Sequence, residues 1–320
     1  MNISRKNPPS AHKAIMHSLG SANETLDRLI LGKRLVLMDI PVYPNVGDLL
    51  IMLGTLSYLE KSSRRPALIV SAYNPCFDAI QKGDVILMQG GGNLGDLYPI
   101  HQSLREEVIR RFPGNRIVML PQSIHFRDPD NLDRCMSLFA SHQDLHLFVR
   151  DRSSLELGAA LGNRCTMAPD MAHYLYPIQP DGHPRLQRLY LLRKDSEAVR
   201  TQPPDPPEGH QDWHDILGRH RRMIRFFRSA FKRARRPGTA NILANIWLAY
   251  CRHIVRRVTS VYGAHHAITT DRLHGHIMAC LMDMPNEVLD NSYGKNSRYI
   301  EVWTGESPLV TLSGSRDTRK

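Results

Sequence analysis

Arg34–Lys61 reads RLVLMDIPVYPNVGDLLIMLGTLSYLEK. Its first seven residues (34–40) form the short apolar run of a buried strand. PVYPNVGD (41–48) supplies the Pro, Asn and Gly of a turn, and LLIMLGTLSYLEK (49–61) continues as a helix. The strand–turn–helix unit then recurs. PALIVSAY (66–73), DVILMQGGGN (84–93), RIVMLPQSIHF (116–126) and LHLFVRDRSS (145–154) are further strands, with helical patterns at 101–112, 131–142 and 155–162 between and after them. RCTMAPDMAHYL (164–175) closes this half. RLYLLRKDSE (188–197) starts a new strand, and a proline-rich loop, TQPPDPPEGHQD (201–212), interrupts the pattern. A helix is expected from about Asn241 to Val258, and HHAITTDRLHGHIMACLMDMP (265–285) is again strand, turn and helix. Order is expected to end with EVLDNSYGKNSRYIEVW (287–303), leaving the tail frayed. Short apolar runs alternating with helices predict parallel sheets covered on both faces, with ligands at the carboxyl ends of the strands.

Composition agrees with a globular chain. The 320 residues are 42% apolar and 23% charged, which excludes a disordered, collagen-like or small disulfide-bonded protein. At about 150 residues per domain the length suggests two domains. No apolar run reaches the roughly 18 residues of a spanning helix, and MNISRKNPPSAHKAIMHSLG lacks the apolar core of a signal peptide. The five cysteines are odd in number and widely spaced, so they read as reduced cytosolic thiols rather than a zinc site. Net charge is +11, and Arg219–Arg236 alone carries eight Arg, one Lys and no acid. The basic character therefore belongs to one helix. On it Met223, Ile224, Phe227, Ala230 and Phe231 recur at helical spacing among the arginines, the pattern of a helix lying on an anionic membrane. A solvated face packed on the domain and a nucleic-acid patch are the other readings; of these, nucleic acid is not expected as a partner.

The candidate chemistry sits at strand ends. Gly90–Gly95 fits the GxGxxG pattern, either as a tight turn or as backbone N–H groups presented to a phosphate or sugar, and Gly91, Gly92 and Asn93 are its binding candidates. A dinucleotide fold is disfavoured, because the cluster follows the third strand and no acid for a ribose ends the next one. Asn45-Val46-Gly47-Asp48 and Asn93-Leu94-Gly95-Asp96 share one N-x-G-D pattern, so both loops are expected at one cleft; Asp48 could equally cap the helix beginning at Leu49. Arg150 ends a strand and suits a carboxylate, unless it pairs with Asp151. Gln122 and His125 lie in PQSIHF, with His125 placed to act as a base, while Asp170 reads as a turn residue. Asp271-Arg272-Leu273-His274-Gly275 opens a helix with a cation and a histidine, against the macrodipole. A bound anion held by Arg272 and the free N–H groups would account for that, with His274 close enough to move a proton. The alternative is Asp271 as a plain N-cap. Lys295 adds a second cation or is merely solvated.

Taken in order, NVGD, GGGNLGD, PQSIHF, FVRDRSS, APDMAHYL and TDRLHGHIMACLMDMP resemble the polysaccharide pyruvyl transferase family, over roughly residues 35–300. The proline-rich loop and basic helix lie outside the motifs that carry the likeness. The resemblance implies two Rossmann-like domains with parallel sheets facing a cleft, similar to the B-type glycosyltransferase fold. These are residues 1–180 on the acceptor side and 181–310 on the donor side, with a basic amphipathic insertion at 213–258. It implies phosphoenolpyruvate as donor, two hydroxyls of a sugar in an exopolysaccharide repeat unit as acceptor, and a pyruvate ketal as product. The donor-binding Arg-Leu-His falls on Arg272, Leu273 and His274, and the arginine ending the first domain on Arg150. His125 falls on the acceptor side. With Lys295 as a further cation, His274 and either Asp48 or His125 are the expected acid and base. No metal or cofactor is called for. A lipid-linked acceptor would place a cytoplasmic enzyme peripherally on the inner face of a bacterial plasma membrane. A nucleotide-sugar-dependent glycosyltransferase of the same shape is the alternative.

Overall fold

A computed structural model describes residues 8–21, 23–180, 183–194, 209–234, 236–290 and 294–313. The first sheet holds β1 (Leu35–Met38), β2 (Leu68–Ile69), β3 (Val85–Met88), β4 (Gly91–Gly95), β5 (Arg116–His125), β6 (Leu145–Val149) and β7 (Cys165–Met167). Its order is β2-β1-β3-β5-β6-β7, with β4 also paired to β5. The second holds β8 (Leu186–Leu191), β9 (His265–Thr270), β10 (Asn286–Leu289) and β11 (Val310–Ser313), in the order β11-β10-β9-β8. Every pairing is parallel. Leu312 and Ser313, expected in the frayed tail, instead finish β11 against β10.

The helices are α1 (Ser10–Leu19), α2 (Glu24–Ile30), α3 (Val46–Lys61), α4 (Pro99–Arg111), α5 (Pro129–Ser141), α6 (Arg152–Leu157), α7 (Trp213–Leu217), α8 (His220–Arg233), α9 (Pro237–Gly263), α10 (Leu273–Leu281) and α11 (Lys295–Trp303). Strand alternation divides the first sheet into two apolar faces. Val36, Met38, Ile86, Met88, Ile117 and Met119 pack toward α4 and α5. Leu35, Leu37, Val85, Leu87, Val118 and Leu120 belong to a larger core that continues through α3 and α10 to Leu189, Leu191 and Ile268 of the second sheet.

The central element is α3. Val46, Leu49, Leu50, Ile51, Met52, Leu56 and Leu59 are all buried, so it is covered on every side, the expected place for a helix apolar all round. Its N-cap is Asn45, whose side chain accepts from the Gly47 N–H at 3.0 Å. Asp48 therefore does not cap this helix; it stands in the first turn. The glycine cluster departs from expectation as well. Gly91–Gly95 is neither a turn nor a helix-opening loop but strand β4, with Gly91 opposite Gln122 and Gly95 opposite His125.

Helix α1 packs on elements of the second sheet: buried His12 bonds Ser307 Oγ at 2.7 Å and the Cys280 carbonyl at 3.1 Å. Helix α9 reaches both sheets. Trp247 Nε1 donates to the Pro41 carbonyl at 3.0 Å, and Asn241 takes the Ile69 N–H and gives to the Ala67 carbonyl, each at 2.9 Å. Those bonds cover the two-residue edge strand β2.

The basic segment is helical but faces differently from the sequence expectation. Ile224, Phe227 and Phe231, expected against lipid, are buried, with the Phe227 ring 5.0 Å from Trp247 and 5.6 Å from Tyr250. The arginines are long enough to stay in water while this stripe packs on α9. Exposed apolar side chains are instead Met223 and Phe226 on α8 and Ile242 and Ile246 on α9. The proline-rich loop lies, from 201 to 208, outside the described residues.

Contact between α3 and the turn at 171–175 is closest at Gly54, where a Cβ would stand 2.0 Å from the Met171 carbonyl oxygen. Gly54→Ala gains roughly 1 kcal/mol of helix propensity but must push the turn away, an overpacking that costs about 1–3 kcal/mol. The melting temperature should fall by several degrees. A variant that melts at or above the wild-type temperature would show that these two segments are not pressed together.

Candidate active site

A cleft of about 450 Å³ opens where the carboxyl ends of both sheets meet. Asn45, Asp48, Gly92, Asn93, His125, Arg150, Arg272, Leu273, His274 and Lys295, all singled out from sequence, line it. Three others do not. Gly91 lies in the strand beneath, where a Cβ would meet Asp48 Oδ1 at 3.3 Å. Gln122 is fully buried and donates to the Gln89 carbonyl. Asp96 faces solvent, accepting the backbone N–H groups of Arg127 and Asp128 at 2.9–3.1 Å. It clamps a loop instead of lining the cleft, because β4 ends before it and turns the chain outward.

Asp170 is the charge centre of the cleft. Fully buried, it pairs with Arg150 Nη1 and receives His274 Nε2 at 3.3 Å, while its own turn is fixed by the Ala172 N–H at 2.9 Å. Burial alone would raise its pKa, but His274 and Arg150 outweigh it and hold the carboxyl well below the usual range. Arg150 thus pairs with Asp170 and not with its neighbour Asp151, which caps α6 and accepts from Ser123 at 2.7 Å. The guanidinium is further held by Nε donating to Ser123 Oγ at 2.9 Å. His274 is seated close to the backbone at Gly47, where a Cβ would stand 2.6 Å from its ring. Asp48 accepts from Asn45 Nδ2 at 2.7 Å and from the Tyr43 hydroxyl. Desolvation raises its pKa against the pull of His274 and Arg150, so it keeps a proton to higher pH than an exposed carboxyl.

Arg272 is the N-cap residue of α10, and Asp271 accepts the Arg193 N–H at 2.9 Å instead of capping that helix. The Arg272 guanidinium takes a two-point grip from buried Asp212, at 2.5 and 2.6 Å. Lys295 opens α11. It converges with Arg150 on one spot: a Cβ on Gly92 would lie 2.9 Å from Lys295 Nζ and 3.2 Å from Arg150 Nη2. Sequence reasoning missed Tyr43, Tyr73, Tyr98, His101, Arg193, Trp213 and Arg298 in the lining, and Asp39 and Asp212 behind it. Asp39, at the end of RLVLMD, carried the one available signal: a charged residue finishing a buried strand.

Fold and site together define an α/β protein whose cations and histidine–carboxylate pairs are gathered where two parallel sheets meet. The family model for polysaccharide pyruvyl transferase matches residues 45–293, and the chain belongs to that family. EpsO of Bacillus subtilis, named as a candidate pyruvyl transferase, is 36% identical over 307 residues, covering 92% of this chain and 94% of its own. Pyruvyl transferase 1 of Schizosaccharomyces pombe is 27% identical over 309 residues, covering 85% of this chain and 70% of its own. The crystal structure of an uncharacterised Klebsiella pneumoniae protein shares the fold, with a TM-score of 0.61 at 18% identity over 91% of this chain and 96% of its own.

A carboxyl with a depressed native pKa contributes stability that is present above its unfolded value, about 4, and lost as pH falls toward the native value. Unfolding by urea between pH 7 and pH 3 should show this for Asp170. Asp170→Asn should flatten part of the acid slope and, at neutral pH, cost roughly 3–5 kcal/mol, since Arg150 is left buried without its counter-charge. An unchanged slope and midpoint would mean that the pairing does not stabilise the fold.

Proposed function

We propose that this chain transfers the pyruvyl group of phosphoenolpyruvate to two hydroxyls of one sugar in an exopolysaccharide repeat unit, forming a cyclic ketal and releasing phosphate. The observation that carries this is the convergence of Arg150 and Lys295 beside Gly92, with Arg272 and His274 lining the same cleft. A small donor bearing both a carboxylate and a phosphate needs such a set, and arginine suits either group bidentately. Asp170 orients Arg150 and His274; Asp212 orients Arg272.

The chemistry requires a proton on the donor's methylene carbon, which makes the adjacent carbon electrophilic. His274, aligned by Asp170, and Asp48, whose pKa is raised by burial, are the groups placed to give it. Positioned acids and bases contribute about 10²–10⁴-fold each. Asn45 and Asn93 add polar contacts, and Leu273 is a buried apolar wall. On the acceptor side Tyr43, Tyr73 and Tyr98 offer rings to sugar C–H faces, and His125 stands at the end of β5. Residues up to about 180 would then serve the acceptor and 181–310 the donor, with Arg150 reaching across. Nothing in this sequence of steps needs a cofactor.

Phosphoenolpyruvate should raise the melting temperature, and a nucleoside diphosphate should not. Arg272→Ala should abolish the rise, and Gly92→Ala, whose methyl intrudes between the two cations, should reduce it sharply. Sugar-dependent phosphate release from phosphoenolpyruvate tests turnover. Stabilisation by the nucleotide alone would favour a glycosyltransferase instead.

The acceptor is proposed to be lipid-linked and the enzyme to sit peripherally on the cytoplasmic face of the membrane. No helix among the described residues is long and apolar enough to cross one. What supports surface attachment is the exposed set Met223, Phe226, Ile242 and Ile246 on two packed helices beside exposed Arg221, Arg222 and Arg225. The chain should float with vesicles containing phosphatidylglycerol and much less with pure phosphatidylcholine, and added salt should weaken the association. Met223→Ser with Phe226→Asp should cut flotation several-fold. Equal flotation of that variant would remove α8 as the contact.

A further inference from the structure

Besides His274–Asp170, a second histidine–carboxylate pair brings its ring to the cleft. Asp39 ends the first strand run and is 1% exposed. Its φ of 67° is a left-handed conformation that non-glycine residues rarely hold. Such strain persists only where the surroundings impose it, and it gathers at functional sites. Here the surroundings are an imidazole and a guanidinium on α4. His101 Nδ1 lies 2.7 Å from Asp39 Oδ1, and Arg105 Nη2 lies 3.4 Å from Oδ2, in an ion pair without solvent exposure on either side. Arg105 also donates to Asn93 Oδ1 at 2.6 Å, so the same carboxylate is coupled to strand β4 at the cleft.

The His101 ring is also fixed in rotation. Tyr43 and Tyr98 pack edge-on against it, at 5.6 and 6.4 Å between centroids. With Nδ1–H donating to Asp39, the lone pair falls on Nε2, and the ring lines the cleft among the aromatic side chains. Asp48 lies within the field of both His101 and His274, so the two imidazoles serve one space. A purely structural tie between α4 and β1 would be complete with the Arg105–Asp39 ion pair; a ring presented to the cleft by a carboxylate is the arrangement of a general base.

We propose that His101 is a catalytic base that takes the proton of the attacking sugar hydroxyl, with Asp39 as the residue that positions it. His101 is given this role on the strength of the donor chemistry proposed above. As the hydroxyl oxygen's electron pair forms the new bond to C2 of the pyruvyl group, the O–H proton passes to His101 Nε2. His101 gives this proton to the phosphate, which leaves with the electron pair of its bond to C2 as hydrogen phosphate. The emptied ring then takes the second hydroxyl's proton as that oxygen bonds to C2, and this second proton replaces the one delivered to the methylene carbon on the donor side. Phosphoenolpyruvate and a diol thus become a ketal and phosphate with no oxidant or reductant.

The test compares wild type, His101→Ala and His101→Asn for stabilisation by phosphoenolpyruvate and for sugar-dependent phosphate release. Asparagine can still donate to Asp39, so it restores a structural tie but cannot accept the proton. Expected is retention of the donor-induced rise in melting temperature in both variants, a fall in turnover of about 10²–10⁴-fold in both, and partial recovery of His101→Ala by added imidazole. Near-wild-type turnover in His101→Asn, or imidazole without effect on a folded His101→Ala, would overturn the assignment. Should wild type itself release no phosphate with any sugar while still binding the donor, the proposed reaction fails first and the role of His101 falls with it.

Discussion

One buried carboxylate holds the cleft together. Asp170 follows β7 of the first sheet, Arg150 follows β6 of the same sheet, and His274 stands in the first turn of α10, just past β9 of the second. The buried Arg150 guanidinium alone would be costly, and so would the carboxylate without its partners. Joined, they fix the relation of the two strand-end regions at the point where a ligand enters. The opening of α10 is held the same way from its other side, with Asp212 gripping Arg272. The charges are thus paid in pairs, and the guanidinium and imidazole groups are oriented before any substrate arrives, which is what preorganised electrostatic catalysis needs.

That arrangement depends in turn on α3. Because the helix is enclosed on all sides, its N-terminus cannot shift, and Asn45 and Asp48 are delivered to a fixed place beside His274. Absence of a side chain at Gly47 is what lets the imidazole lie against the helix backbone. The same helix is gripped at Gly54 by the turn that carries Asp170. One rigid element therefore sets the position of the buried acid, the histidine and the carboxylate that aligns it. Packing and chemistry are here the same constraint.

Much of the frame was legible in the chain. Apolar runs alternating with helical patterns foretold parallel sheets, and the strand ends carried Arg150, His125, Arg272 and His274, all of which line the cleft. What the sequence hid was partnership. Asp39, Asp170 and Asp212 are charged residues whose meaning lies in partners 60 or more positions away, His101 for Asp39, His274 for Asp170 and Arg272 for Asp212; periodicity is blind to all three. The glycine cluster misled because GxGxxG describes a local pattern, whereas β4 is made by pairing with β5. Similarly, α8 shows an amphipathic stripe whose period is correct, but a stripe does not say whether lipid or another helix covers it. Here α9 does, and only the side chains beside the stripe remain available to a membrane.

Two histidines in one cleft, each bonded to its own carboxylate, allow a division of labour that a single one would not. Addition to an enol phosphate needs a proton given at carbon and another taken from oxygen, and one group cannot be both full and empty at the same moment. Separate carboxylates let the two rings be tuned independently. Asp170 is shared with Arg150, while Asp39 is shared with Arg105, which also braces Asn93. Between them Asp48 can exchange influence with either. The strained backbone at Asp39 is consistent with this arrangement, since a relaxed strand end would swing its carboxylate away from His101 and leave that ring free to turn.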